Sequence, residues 1–187
     1  TEKGEKWMEE VAIETFNMTG QFEDVNVLGL EPYENLTNCT AAPYASYLLN
    51  KEKITKKELQ DATDLIRLSE DQFTFWDTMP DKLGLRKIAT PCVFEQYKYQ
   101  TPVDASAHNV AMAFLDLYEE TGDKLAFAKA KALIDNMTIV QNKGNGQMPT
   151  TWDFRIPARH KNRTFWVNCT YASVTALLRM DKLTEEE

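Results

Sequence analysis

The sequence predicts an all-α protein built from consecutive antiparallel helical hairpins, within one domain that spans residues 1–187. In several stretches apolar residues recur every three to four positions, which is the spacing of one face of an α-helix. Helix start and stop signals stand at the ends of these stretches. No stretch alternates apolar and polar residues in a way that predicts a convincing sheet, and 187 residues suit a single domain.

The N-terminal region contains two predicted helices separated by a long loop. Residues 5–18 carry apolar side chains at helical spacing, and Gly20 ends that helix because glycine readily adopts a left-handed conformation. After the loop, Thr40 is placed to cap a short helix over residues 41–49.

The next two helices have clearer start signals. Thr55 and Glu58 match a capping box, in which each side chain accepts a hydrogen bond from the other residue's backbone N–H. We expect this helix to continue to about Trp76. A further helix begins near residue 104, with either Asp104 or Ser106 as its N-cap.

The C-terminal part contains two more predicted helices. Residues 121–123, Thr-Gly-Asp, are a helix stop followed directly by a helix start. The next helix ends at the glycine-rich residues 143–146, and its apolar face is Ala126, Ala130, Leu133, Met137 and Val140. The last helix runs from about residue 165 to 180, with one apolar side formed by Val167, Tyr171, Val174 and Leu178.

The connections between these helices alternate in length. The short connections are residues 50–54 and 121–123, and the long ones are residues 21–38, 79–103 and 143–162. In up-and-down helices alternate connections lie at the same end, so all the long loops are expected on one face. Loops of this length without regular structure are usually functional.

Composition excludes several classes of function. The net charge of −8 argues against nucleic acid as the main partner, because phosphate binding needs a basic face. No apolar run is long enough to span a bilayer. Cys39, Cys92 and Cys169 lack close spacing and have only His108 and His160 beside them, so the sequence predicts no zinc site and no cofactor. The simplest interpretation is that the three cysteines are buried thiols. A disulfide between two of them is the alternative.

A faint internal repeat agrees with the alternation of loops. Residues 38–42 (Asn-Cys-Thr-Ala-Ala) align without a gap to residues 168–172 (Asn-Cys-Thr-Tyr-Ala), and Leu48 then aligns with Leu178. Both stretches follow a long loop and open a helix. The match predicts that the two helices occupy equivalent places in the fold.

Several motifs at the hairpin joints resemble those of six-hairpin (α/α) toroid glycosidase-type secreted proteins of gut bacteria. They are Thr-Pro-Cys-Val-Phe-Glu-Gln-Tyr at 90–97, Pro-Val-Asp-Ala-Ser-Ala at 102–107, Leu-Tyr-Glu-Glu-Thr-Gly-Asp at 117–123 and Gln-Met-Pro-Thr-Thr-Trp at 147–152. The resemblance implies a secreted or periplasmic carbohydrate-active protein. A closed toroid needs roughly twice this length, since each helical hairpin takes several tens of residues. We therefore expect about three hairpins of a larger toroid, from its C-terminal portion.

The long-loop face carries candidates for hydrolysis of an oligosaccharide. Glycoside hydrolysis needs two carboxyl groups, and we predict Glu95 as the acid and Asp104 as the base or nucleophile. Apolar neighbours would raise the pKa of Glu95 if it is buried, and a helix start lowers the pKa of a carboxyl such as Asp104. A purely structural role, as an N-cap for Asp104, stays open.

Sugar binding is predicted for aromatic platforms and for polar side chains that pair with hydroxyl or uronate groups. The predicted substrate-binding residues are Tyr97, Tyr99, His108, Trp152, Asp153, Arg155 and Trp166. His108 lies one helical turn after Asp104, on the same side of its helix. Core positions for the aromatic residues and a structural histidine are the alternatives.

Two other functions fit the same scaffold. A polysaccharide lyase would use a base and a group that neutralises a uronate, which Tyr99, His108, Arg155 and Asn168 offer. A non-catalytic module would bind a glycan or a protein. A carboxyl pair about 5–10 Å apart across a groove favours hydrolysis, whereas a groove without such a pair favours binding. If the hairpin array is open, its end helices also leave apolar surface for self-association.

Overall fold

The computed structural model describes residues 2–13, 40–76, 91–95, 102–151 and 167–185, and 75% of them are helical, which confirms an all-α fold class. Six α-helices lie in these ranges: α1 (Glu2–Trp7), α2 (Ala41–Leu49), α3 (Lys56–Phe73), α4 (Asp104–Thr121), α5 (Lys124–Val140) and α6 (Val167–Glu185). A π-helical segment, Met8–Ile13, continues α1. No helix among the described residues is both long and apolar enough to cross a membrane.

Local signals set the ends of several helices as predicted. The N–H of Glu58 donates to Thr55 Oγ1 at 3.2 Å, and the N–H of Thr55 donates to Glu58 Oε2 at 2.7 Å, which completes the capping box of α3. Gly122 ends α4 in the left-handed conformation, with φ 73°. Asp123 then caps α5 by accepting the N–H of Leu125 at 2.8 Å.

Other helix ends differ from the predictions. The N-terminal helix is α-helical only over Glu2–Trp7 before it becomes π-helical, and residues 14–20 lie outside the described part. Thr40 occupies the N-cap position of α2, but its side chain makes no capping hydrogen bond. α3 ends at Phe73 rather than near Trp76, because the next two residues turn into an extended strand.

The predicted N-cap of α4 is wrong, and the reason is a tertiary contact. Val103, not Asp104 or Ser106, holds the N-cap position, in an extended conformation without a side-chain capping bond. Its N–H donates to the carbonyl oxygen of Val93 at 3.0 Å, and it forms a β-bridge with Thr151. This pairing keeps Val103 extended, so the first helical residue is Asp104 itself.

A small β-ladder joins the described parts of two long loops, although the sequence predicted no convincing sheet. The two-residue strands β1 (Thr74–Phe75) and β2 (Cys92–Val93) pair antiparallel, and isolated bridges join Phe94 to Pro102 and Val103 to Thr151. Strands this short show no period in the sequence. The ladder brings these loops together at one end of the helices, as the alternating connection lengths predict.

The described helices form two layers. α4 lies at the centre and packs against α2, α3, α5 and α6. Its neighbours α2 and α6 complete one layer, while α3 and α5, the second helices of the two hairpins, form the other. Lys129 Nζ of α5 lies 2.6 Å from Glu70 Oε1 of α3, which links the helices of the second layer.

The core lies between the two layers. The predicted apolar face of α5 is confirmed, because each of its five residues is at most 2% exposed. Burial of each large apolar side chain contributes roughly 1.5–3 kcal/mol relative to exposure. The largest fully buried side chains include Leu48, Ile66, Leu115, Leu133, Ile134 and Met137.

The buried side of α6 is the opposite of the predicted one. The predicted apolar side is exposed, with Val167 at 85% and Tyr171 at 71%. The side that packs inward consists mainly of small residues: Cys169, Ala172, Ser173, Ala176 and Met180. The buried side of α6 therefore carries small side chains, and its larger apolar residues lie on the exposed side.

Candidate functional site

A groove of about 420 Å³ lies between α2, α4 and α6, on the side of this layer that faces away from α3 and α5. We call it the inner groove. Among the described residues, three elements contribute to its lining, and these lining residues are Pro43, Ser46, Asn50, His108, Asn109, Met112, Asp116 and Arg179. Six of these side chains are polar or charged, and Pro43 and Met112 are apolar.

The sequence of α4 explains why this helix can form both core and groove. His108, Met112 and Asp116 recur at intervals of four residues, and Asn109 lies three residues before Met112, so these residues share one face of the helix. The buried residues Val110, Ala111 and Phe114 lie on the remaining surface and belong to the main core. α4 is therefore amphipathic, and its polar side faces the inner groove.

An ion-pair network closes one end of the inner groove. Arg179 Nη2 of α6 donates to Asp116 Oδ1 of α4 at 2.6 Å, and it also bonds Glu119. Burial by itself lowers the pKa of Arg179, but the hydrogen bonds to Glu119 and Asp116 outweigh it and raise this pKa. Arg179 is thus a fixed cation whose charge two carboxylates balance.

His108 lies in the inner groove at the long-loop end of α4. Burial lowers the pKa of its imidazole, a hydrogen bond to the backbone of Ala172 opposes that effect, and the positive charge of Arg179 lowers the pKa further. The net shift is downward, so the ring is neutral near pH 7. Its Nδ1 atom is buried and has no hydrogen-bond partner among the residues that the structure describes.

Only part of the predicted site lies in the described part of the chain. Of the predicted substrate-binding residues, the inner groove contains His108. Glu95 is half-buried and follows the residue that bridges to Pro102. Asp104 is the first residue of α4, and its side chain lies outside the described part. The other predicted residues also lie outside it: Tyr97, Tyr99, Trp152, Asp153, Arg155 and Trp166.

The residues predicted for a lyase are not brought together by the described part of the structure. Tyr99 and Arg155 lie outside it. Asn168 is exposed on the first turn of α6 and is absent from the lining of the inner groove. His108 alone represents that set in the groove.

The carboxylates of the described lining do not form the pair that hydrolysis needs. Asp116 is the one acidic residue among the lining residues, and it is 6% exposed and bonded to Arg179. The described lining therefore contains no second carboxyl group that could act together with Asp116.

The sequence interpretation missed most of the groove lining. Ser46, Asn50 and Asn109 are ordinary polar residues within or next to helices, and nothing local distinguishes them from solvated ones. One signal was available, because His108, Met112 and Asp116 recur at four-residue spacing opposite the apolar stripe of α4. The pairing of Asp116 with Arg179, 63 residues away, had no counterpart in the sequence.

A second cluster of charges lies at the connection between α2 and α3. Carboxylate oxygens of Glu5, Glu9 and Glu58 lie within 4.8 Å of one another. Lys51 bonds Glu5 and also donates to Glu58 Oε1 at 2.7 Å. These bonds raise the pKa of Lys51, and the bonds from Lys51 and Thr55 lower that of Glu58 to about 2. The single ammonium group of Lys51 thus bonds two of the three carboxylates, Glu5 and Glu58.

The two cysteines in the described part are consistent with the simplest interpretation. Cys92 lies in β2 and Cys169 on the inward side of α6, and both are buried thiols. Cys39 lies outside the described residues.

No protein-family model and no curated protein matches the chain.

Proposed function

We propose that this chain is a carbohydrate-active, hydrolase-like protein of the (α/α) toroid type, and that the inner groove binds an oligosaccharide. The position of the groove carries this proposal. It runs along the exposed side of α2, α4 and α6, the helices that follow the long loops. In toroids of helical hairpins these helices form the inner ring, and the ligand enters from the long-loop end.

The chemistry of the lining supports a sugar ligand. Sugars present many hydroxyl groups, which donate and accept hydrogen bonds, together with apolar C–H faces. Asn50 and Asn109 provide amide groups that both donate and accept hydrogen bonds, and Pro43 and Met112 provide apolar contact. Concave sites with a few convergent polar groups of this kind are typical of ligand pockets.

The charges of the inner groove favour a neutral sugar over the uronate that the sequence suggested. Arg179 is the cation of the described lining, and its guanidinium is occupied by Asp116 and Glu119. His108 is neutral because its pKa is lowered. A uronate carboxylate in this groove would therefore meet Asp116 without an available positive charge.

For catalysis we propose Glu95 as the acid and Asp104 as the base or nucleophile at the long-loop entrance. The acid protonates the glycosidic oxygen, while the second carboxylate activates water or attacks the anomeric carbon. The bridge between Phe94 and Pro102 supports this pair, because it holds the chain at Glu95 beside the start of α4. His108 is one turn farther into the groove.

The test measures binding and cleavage separately with a panel of neutral and acidic oligosaccharides. Asn109→Ala should weaken binding of a neutral oligosaccharide about fivefold, since a net hydrogen bond contributes about 1 kcal/mol. Gln72→Ala removes an exposed amide from α3 and is the matched control. Glu95→Gln should abolish cleavage and leave binding nearly unchanged. If no oligosaccharide binds, the carbohydrate proposal is wrong.

A non-catalytic glycan-binding module is the second candidate. The observation that favours it is the ion pair of Asp116, which leaves the described lining without a carboxyl group available for catalysis. Binding of an oligosaccharide without any cleavage, together with no effect of Glu95→Gln or Asp104→Asn, would select this function over hydrolysis.

A further inference from the structure

The largest departure from the predicted packing is an uncovered apolar face on α6. We call Val167, Tyr171, Val174 and Leu178 the α6 stripe. Their exposures are 85%, 71%, 44% and 64%, and they follow one another at intervals of four, three and four residues. This spacing places them along one side of the helix, and such a continuous apolar surface usually marks an interaction site.

The internal repeat indicates what kind of element covers such a face. The α2 positions that align with the last three stripe residues are all at most 9% exposed: Ala41, Tyr44 and Leu48. α2 packs antiparallel against α3, and α4 packs in the same way against α5. The α6 stripe therefore corresponds to a packing face of α2, and an apolar stripe of matching length would cover it. Among the described helices, α6 itself is the one whose apolar stripe is uncovered, and a second copy of the chain supplies another.

We propose that a second copy of this chain covers the α6 stripe, with the two α6 helices packed antiparallel about a twofold axis. The stripe is self-complementary in that arrangement. With the axis between Tyr171 and Val174, each Tyr171 faces Val174 of the partner subunit, and each Val167 faces Leu178 of the partner subunit. A twofold contact of this kind is closed, so it yields a dimer rather than a filament.

The charge distribution of α6 allows this contact despite the net charge of −8. Residues 167–178 contain no charged side chain. The next residue, Arg179, is held in the inner groove by Asp116 and Glu119. Asp181 and Lys182 follow beyond the stripe and have opposite charges. Antiparallel packing also places the opposite ends of the two helix dipoles next to each other.

The size of the stripe sets the expected strength of the dimer. From the exposed fractions, two stripes would together bury roughly 1,000 Å², which is near the lower limit of a specific interface. The dimer should therefore be reversible, with a dissociation constant of about micromolar or weaker. Such a dimer leaves the inner groove of each copy open, because α6 lines the groove through Arg179, which is not part of the α6 stripe.

Sedimentation velocity over a range of protein concentrations tests the proposal. The parent chain should show a reversible monomer–dimer equilibrium. Tyr171→Glu should raise the dissociation constant about tenfold or more, because a charge would be buried at the centre of the contact. Ile139→Glu, at a singly exposed apolar position on α5, is the matched control and should leave the equilibrium unchanged.

A second pair of variants tests the antiparallel register. Val174→Lys should weaken the dimer as Tyr171→Glu does. A mixture of the two variants should associate more tightly than either alone, because one central contact is then native and the other joins opposite charges. Circular dichroism checks that each variant is folded. A folded parent chain that is monomeric at all concentrations, or assembles without limit, overturns the proposal. A dimer that Tyr171→Glu leaves intact also overturns it.

Discussion

At the scale of single residues, His108 of the inner groove makes the stability of the fold depend on pH. Its pKa is lowered by burial and by Arg179, with partial compensation from the backbone of Ala172. The folded protein therefore holds this proton less tightly than the unfolded chain does. The full free energy of unfolding is therefore present above about pH 6.5, the pKa of a histidine in the unfolded chain. Part of it is lost as the pH falls below that value.

We predict that His108→Gln flattens this pH dependence. The free energy of unfolding should fall between pH 7.5 and pH 5.5 by less in the variant than in the parent chain, because glutamine does not titrate. Urea unfolding at the two pH values measures the difference, and His160 is common to both proteins. If the free energies of unfolding of the parent chain and the variant change equally with pH, folding does not lower the pKa of His108.

The capping box of α3 gives a second prediction at this scale. Thr55→Ala removes the acceptor for the N–H of Glu58 and should lower the free energy of unfolding by about 1 kcal/mol. Lys56→Ala changes the neighbouring exposed residue, keeps the cap, and is the control. Chemical denaturation measures both. An equal effect of the two changes would mean that the cap does not limit the stability of α3.

At the scale of elements, the packing of α6 on α4 depends on small side chains and on one ion pair. Ala172, Ser173 and Ala176 are buried residues of α6, which packs against α4 and α5. Arg179 then reaches Asp116, which is 6% exposed and needs a counter-charge. These two requirements orient α6, and they leave its larger apolar residues on the outside.

We expect Arg179→Met to lower the free energy of unfolding by about 3 kcal/mol, because Asp116 is then a buried charge without its partner. The double variant Arg179→Met/Asp116→Leu should recover much of that loss, since an apolar pair needs no counter-charge. Arg67→Met, which breaks an exposed ion pair with Asp64, should change stability by at most about 0.5 kcal/mol. Thermal or urea unfolding of the three variants measures these effects. If the double variant is no more stable than the single one, the ion pair does not account for the loss.

At the scale of the whole molecule, α4 connects both layers. It packs against four other helices, and its central residues from Val110 to Leu117 are almost all buried. α1 has no buried residue and is attached through the bond between Glu5 and Lys51. Local opening is therefore expected to be far easier at α1 than at α4.

Amide hydrogen exchange tests this hierarchy. The amides of Val110–Leu117 should exchange most slowly, at the rate set by global unfolding, while those of α1 exchange fast. Mass spectrometry of peptides from the labelled protein resolves the two regions. Equal protection of α1 and α4 would contradict the central position of α4.

The sequence by itself determined the features whose cause lies within one or two turns of chain. The capping box at Thr55, the stop and start at Gly122 and Asp123, and the buried face of α5 all follow from neighbouring residues. The alternating connection lengths likewise predicted that the long loops lie at one end of the helices. The described β-bridges join parts of two of these loops there.

Tertiary structure alone decided which side of α6 is buried, where α4 begins, and which residues line the inner groove. Tyr171 and Leu178 are larger than Ala172 and Ala176, yet the small residues are the buried ones, because the pairing of Arg179 with the buried Asp116 constrains which side of α6 meets α4. Val103 replaces Asp104 at the helix start because β-bridges from distant loops hold it extended. A groove between three helices depends on residues some 60 positions apart, and only the folded chain brings such residues into contact.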